Sequence, residues 1–155
     1  PVPLGAAGAR APPLFPPNGA AHAGGGATLN NLPISVSKAD AISMSLIGTG
    51  FSYLDDRRVL QANRIGSLLP QVRDIRRYGS AAIDLAFVAC GRLDAYFEEH
   101  LHSWDLVAGQ IIATEAGAIV TNYEGAPVTP EQVLATTPLI QKELIALIAE
   151  AGGNS

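Results

Sequence analysis

Apolar positions recur along this chain in two rhythms, one of helices and one of strands. Between Asp55 and Leu69, Val59, Leu60, Asn63, Ile65 and Leu68 fall at helical spacing, and Pro70 ends the run. After Gly79-Ser80-Ala81, the residues Ile83, Leu85, Ala86, Phe87, Val88 and Cys90 are apolar nearly all round, which predicts a buried helix. Leu93 to Glu98 alternates as a strand does and delivers Glu98 to its C-terminal end. Ser103 then reads as the N-cap of a helix whose apolar face is Trp104, Val107, Ala108, Ile111 and Ile112, with Gly117 as its stop. Pro138 opens a last helix with Ile140, Leu144, Leu147 and Ile148 on one face.

Shorter strands fill the intervals. Ala27–Leu29 and Pro33–Val36 flank Asn30-Asn31, a pair that suits a tight hairpin because asparagine tolerates positive φ. Ile42, Met44 and Leu46 alternate with Ser43 and Ser45, predicting a half-buried strand that stops at Gly48-Thr49-Gly50. Gln71 to Ile75, Ile119–Thr121 and Val133–Ala135 complete the set. The element order is mixed α/β.

Residues 1–25 differ in kind. They are dominated by Pro, Ala and Gly, carry Arg10 as their one charge and lack periodicity, and they read as a flexible tail before a domain at 26–155. The 155 residues suffice for one domain that buries about two-thirds of its unfolded surface. A net charge of −4, with no basic cluster, argues against nucleic acid as the main ligand. No run of 18 apolar residues suggests a membrane span, and the single cysteine, Cys90, leaves no internal disulfide and suits a reducing cytoplasm.

The candidate chemistry is concentrated between Gly79 and Gly117. Asp105 falls in the first turn of its helix, where the dipole favours a carboxylate and where an ionised oxygen suits a hard cation. The same position serves a simple capping role. Gly79, Ser80 and Ala81 open the preceding helix with free N–H donors beside a residue that lets a ligand approach the backbone. Asp84, inside an apolar run, needs a partner, and a neighbouring loop or backbone amide is the expected one. Glu98, Glu99, His100, His102 and Asp105 make a polar cluster whose two histidines, without cysteine or a third imidazole, read as solvated. Gly48-Thr49-Gly50 reads as a turn before it reads as a phosphate loop, and Arg73, Arg76 and Arg77 suit phosphate or an interdomain salt link.

Ser103-Trp104-Asp105-Leu106-Val107-Ala108-Gly109, followed by Ile112-Ala113-Thr114-Glu115-Ala116-Gly117, resembles the C-terminal signature of the inositol monophosphatase family, with Val107 and Ala118 as departures. Arg77 to Asp84, Gly91 to Glu98 and Gly26 to Ser37 resemble that family in the same order. The resemblance implies the second αβ half of a five-layer αβαβα enzyme, a homodimer that hydrolyses a phosphorylated small polyol with Mg2+. By the same resemblance Asp105 is the catalytic, metal-binding carboxylate, and Gly79, Ser80, Ala81 and Glu98 hold substrate hydroxyls. The family's Asp-Pro-x-Asp-Gly-Thr metal segment is absent from these residues, which implies a C-terminal part that is inactive without the other half. Two other readings stay open. One is a non-catalytic polyol-binding or dimerisation module. The other is a sister branch acting on histidinol phosphate, fructose bisphosphate or adenosine 3′,5′-bisphosphate, to which a small polyol is preferred because no aromatic platform is expected near Glu98.

Overall fold

The computed structural model describes residues 9–10, 19–21 and 24–153. Four short strands, β1 (Ala9–Arg10), β2 (Gly19–Ala21), β3 (Ala27–Leu29) and β4 (Leu32–Ile34), form an antiparallel sheet in that order. Asn30 and Asn31, with φ of 53° and 64°, make the two-residue loop between β3 and β4, as the hairpin reading expects. Parts of the stretch 1–25, read as a flexible tail, therefore pair in a sheet. Gly24 and Gly25 follow them, and the other residues of that stretch lie outside the described residues.

The rest of the chain runs β5 (Leu46–Thr49), α1 (Asp55–Leu68), β6 (Asp74–Arg76), α2 (Ala81–Ala89), β7 (Ala95–Glu99), α3 (Ser103–Glu115), β8 (Ile119–Thr121), β9 (Gln132–Thr136) and α4 (Gln141–Gly153). Its five-stranded sheet has the order β6-β5-β7-β9-β8, with β6, β5 and β7 parallel and β9 antiparallel to both its neighbours, β7 and β8. Alternation along β7 sends Ala95 and Phe97 to a core with Leu68, Ile140, Leu144 and Ile148 of the α1 and α4 side. Tyr96 goes the other way, into a core with Leu85, Val88, Leu106 and Ile112 from α2 and α3. Since α3 also packs on β1, β2 and β3, the layers are antiparallel sheet, α2 with α3, five-stranded sheet, and α1 with α4. The mixed α/β class read from the sequence is the one observed.

Four local readings change. Ile42–Met44 is a turn of 3-10 helix, and the strand is Leu46–Thr49, so Gly48 lies within it. Ser45 Oγ bonds back to the Ala41 carbonyl at 2.9 Å, a local bond that competes with strand pairing. The strand expected at Gln71–Ile75 begins only at Asp74, because Leu69–Gln71 forms a further 3-10 turn around Pro70. In α1, Val59 and Leu60 are exposed while Gln61 and Leu68 are buried, and Gln61 is inside because its Oε1 accepts the Ser52 N–H at 2.9 Å.

The fourth change concerns α3, whose buried face is Leu106, Gly109, Ile112 and Ala113, while Trp104 is 76% exposed and Val107 also faces out. Ser103 is the first helical residue, and His102 stands at the N-cap position without a side-chain capping hydrogen bond. The face is chosen by Gly109, which lets α3 lie directly against α2. A Cβ there would sit 2.6 Å from Leu85 Cδ1 and 2.8 Å from Leu85 Cβ. Beyond the helix body, the Glu115 carboxylate accepts the N–H groups of Gly24 and Gly26 at 2.9 and 3.0 Å and so ties the antiparallel sheet to α3.

Gly109→Ala should therefore destabilise the chain. Overpacking costs up to about 3 kcal/mol, and better helix propensity returns about 1. A net loss of roughly 2 kcal/mol in urea unfolding is expected; an unchanged or raised midpoint would contradict the close α2–α3 packing.

Candidate substrate and metal site

At the C-terminal end of β7 the sheet delivers Glu98 to the side occupied by α2 and α3, whose first turns hold Ala81 and Asp105. Gly79 has a φ of +82°, which glycine adopts without strain, and the turn it makes sets Ser80 as the extended residue before α2. Asp105 is half-buried in the first turn of α3. Its charge raises the Glu98 carboxyl. These residues, singled out from sequence as Gly79, Ser80, Ala81, Glu98 and Asp105, thus stand at one end of the sheet, where ligands of parallel α/β layers gather.

Gly48 and Gly50 explain why a carboxylate fits beside the sheet at all. The register pairs Gly48 with Tyr96 and Thr49 with Phe97, and Gly50 follows alongside Glu98. A Cβ on Gly48 would lie 2.7 Å from Leu93 Cδ1 and 3.0 Å from Asp84 Oδ1, and one on Gly50 would overlap the Glu98 carboxylate. Neither a turn nor a phosphate loop is the role of this Gly-x-Gly. Two glycines two residues apart, one in β5 and one just past its end, clear one face of the chain there, and Asp84, Tyr96 and Glu98 occupy the cleared space.

The electrostatics follow from burial. Glu98 accepts a hydrogen bond from the hydroxyl of Tyr96. Burial raises its carboxyl above the usual range, the Tyr96 hydrogen bond and the Arg77 charge oppose that, and Asp105 adds to it. The Tyr96 phenol is itself pushed up, first by burial and then by the Glu98 charge, so it keeps its proton. Arg77, whose guanidinium lies 5.8 Å from the Phe51 ring centroid, favours the ionised forms of both Glu98 and Asp84. Sequence reading grouped it with Arg73 and Arg76, but Arg76 pairs with Asp74.

Three expectations for this region change. Asp84 is 1% exposed, and neither carboxylate oxygen has a hydrogen-bond partner, so the amide or loop expected to satisfy it does not. Glu99 leaves the polar cluster for the opposite side of the sheet, where it pairs with Arg64 at 2.9 Å. An aromatic platform does exist nearby: the rings of His102 and Trp104 stack with centroids 4.4 Å apart beside Asp105. Among the described residues no three His, Cys, Asp or Glu side chains converge to hold a metal ion, around Asp105 or elsewhere. No described helix is long and apolar enough to cross a membrane.

Asp84 makes stability depend on pH. Burial, and next the Glu98 charge, raise its carboxyl from 3.8 to about 7, with Arg77 opposing. Between those values the folded chain holds a proton that the unfolded chain has released. Stability should fall as pH rises from about 4 to about 7, by at most about 4 kcal/mol, and level off above. Asp84→Asn should flatten that slope and be the more stable form at pH 8 in urea unfolding; parallel pH profiles for the two proteins would contradict it.

The sequence and the fold have their counterparts among known proteins. Residues 7–153 match the model of the inositol monophosphatase family. The chain is 45% identical over 119 residues to the inositol-1-monophosphatase of Mycobacterium leprae, covering 76% of this chain and 41% of that protein. It is 44% identical over 128 residues to the inositol-1-monophosphatase of Synechocystis sp., covering 80% and 44%. The solved inositol monophosphatase of Anabaena (Nostoc) sp. superposes with a TM-score of 0.82 at 40% identity, over 86% of this chain and 54% of that one. The chain therefore spans less than half the length of the two curated relatives and about half of the solved one. By sequence and by fold, this chain belongs to the inositol monophosphatase family.

Proposed function

We propose that this chain supplies the hydroxyl-binding part, and one metal carboxylate, of a Mg2+-dependent phosphate monoester hydrolase acting on inositol monophosphate or a similar small polyol phosphate. The observation that carries the reading is the meeting of Glu98 with the first turns of α2 and α3 at one sheet end. A carboxylate takes hydroxyl protons and repels a second phosphate, while free N–H groups at helix starts suit anionic or hydroxyl oxygens. The names of the M. leprae and Synechocystis relatives point to the same substrate.

Each residue then has a task. The N–H groups at Gly79, Ser80 and Ala81 receive sugar oxygens, and Glu98 accepts a ring hydroxyl. Arg77 moderates the negative charge of Glu98 and Asp84. Asp105 is the metal ligand that this chain brings, fitting Mg2+ by its hard oxygen donors; the ion, when bound, polarises the phosphoryl group and activates water. Since the described residues gather no further ligands around Asp105, the remaining carboxylates come from another segment or another chain. Homodimerisation and a cytoplasmic setting complete the reading by analogy with the family.

A sister-branch substrate has one observation in its favour. The exposed Trp104–His102 stack could carry an adenine ring, so adenosine 3′,5′-bisphosphate belongs in any substrate panel.

The test is phosphate release from myo-inositol 1-phosphate, with and without millimolar Mg2+, by this chain mixed with the N-terminal part of the Synechocystis relative that precedes the matched stretch. Activity that needs the metal and both pieces is expected, and Asp105→Asn should lower it on the order of a hundredfold. An Asp105→Asn mixture with full activity and unchanged Mg2+ dependence would sink the assignment. Preference for adenosine 3′,5′-bisphosphate over the inositol ester would move it to the sister branch.

A further inference from the structure

Glu98 is held from two sides, by Gly50 and by Tyr96. On one side lies the backbone of Gly50, so close that a Cβ there would overlap the carboxylate. On the other, the Tyr96 hydroxyl donates to Glu98 Oε2. Tyr96 is fully buried, with its ring in the core beside Leu85 and Leu106, so the hydroxyl is fixed in place by packing rather than by a flexible stem. Tyr96 and Glu98 are two apart on β7 and share a face, and Gly48, opposite Tyr96, leaves room for the ring with its Cβ position 3.4 Å from Tyr96 Cδ2.

We propose that Tyr96 is a positioning residue for substrate recognition: with Gly50 it clamps the Glu98 carboxylate, occupies Oε2, and leaves Oε1 as the acceptor for a polyol hydroxyl. This rests on the proposed polyol phosphate reading and sharpens it. A carboxylate free to rotate offers two equivalent oxygens and adapts to many ligands, whereas one with a single oxygen taken and its plane fixed accepts in one direction. The clamp therefore favours a polyol phosphate with a free hydroxyl over a phosphate ester with none. Tyr96 touches neither substrate nor phosphate and acts through Glu98.

The experiment follows the Glu98 side-chain carboxyl carbon by NMR in the whole 155-residue chain with Mg2+, in wild type, Tyr96→Phe and Gly50→Ala. The first readout needs no ligand. The charged groups acting on Glu98 are Asp84 on α2, Asp105 on α3 and Arg77 after β6, with the phenols of Tyr96 and Tyr123, and of these Tyr96→Phe removes only the hydrogen bond that favours the ionised form. Its titration midpoint should rise in Tyr96→Phe; an unmoved midpoint overturns the clamp.

The second readout is affinity for myo-inositol 1-phosphate relative to phenyl phosphate, which has no hydroxyl. That ratio should fall about tenfold in Tyr96→Phe, the size of one hydrogen bond to a charged group, and comparably in Gly50→Ala. An equal loss for both ligands would mean a structural role only and overturns the inference. If the wild-type chain shows no preference for the inositol ester, the substrate role falls together with the polyol reading; a midpoint that still moves in Tyr96→Phe identifies that as the failure, since the clamp itself would then be present.

Discussion

One buried and one half-buried carboxyl group beside the parallel strands of a mixed sheet are the constraint around which this structure is arranged. Asp84 and Glu98 both lie on the α2–α3 side of β5 and β7, and a carboxylate in such a place must find a hydrogen bond, a counter-charge or a proton. Glu98 has the Tyr96 hydroxyl and Arg77. Asp84 has no hydrogen bond and answers by holding its proton to about 7. Space for both comes from Gly48 and Gly50, where any side chain would displace a neighbour. Buried polar groups of this kind cost stability, and chains that keep them generally do so at functional sites.

Packing on the far side of α2 and α3 keeps the arrangement rigid. Gly109 brings the two helices together so closely that their first turns stand side by side, which places Gly79, Ser80, Ala81 and Asp105 around the end of β7. Glu115 joins α3 to the Gly24–Gly26 turn of the antiparallel sheet. On the opposite face, the Arg64–Glu99 pair and the stacking of Arg64 over Tyr123 fix the last residue of β7, so Glu98 is bracketed by anchored neighbours. A hydroxyl acceptor held this firmly loses little entropy when a ligand arrives.

How much of this could be read beforehand depended on whether the cause was local. The helices beginning at Ala81 and Ser103, the Asn30-Asn31 hairpin and the delivery of Glu98 to a strand end all follow from period and turn chemistry within a dozen residues. The buried face of α3 was missed because it is chosen by Gly109 against Leu85, two residues on different helices. Trp104 and Val107 looked like core on hydrophobicity alone and face outward once that contact is made. Gly48-Thr49-Gly50 was misread for a related reason: the spacing of two is a strand signature, and its meaning depends on what the neighbouring strand puts opposite. Tyr96 carried a signal that could have been used, since a tyrosine two residues before a strand-end glutamate shares its face. Ala9–Arg10 and Gly19–Ala21 pair with so little side chain that periodicity had nothing to register.

The measurement that bears most directly on the account is where a divalent ion and a phosphate ester settle on this chain once it is mixed with the N-terminal part of the Synechocystis relative. With Mn2+ standing in for Mg2+, amide signals of Ser103, Trp104 and Asp105 should broaden first. Myo-inositol 1-phosphate should then shift the signals of Gly79 to Ala81 and of Glu98. Broadening centred on Asp55 and Asp56 at the start of α1, or ester-induced shifts away from the C-terminal end of β7, would contradict the assignment of this sheet end as the substrate and metal site.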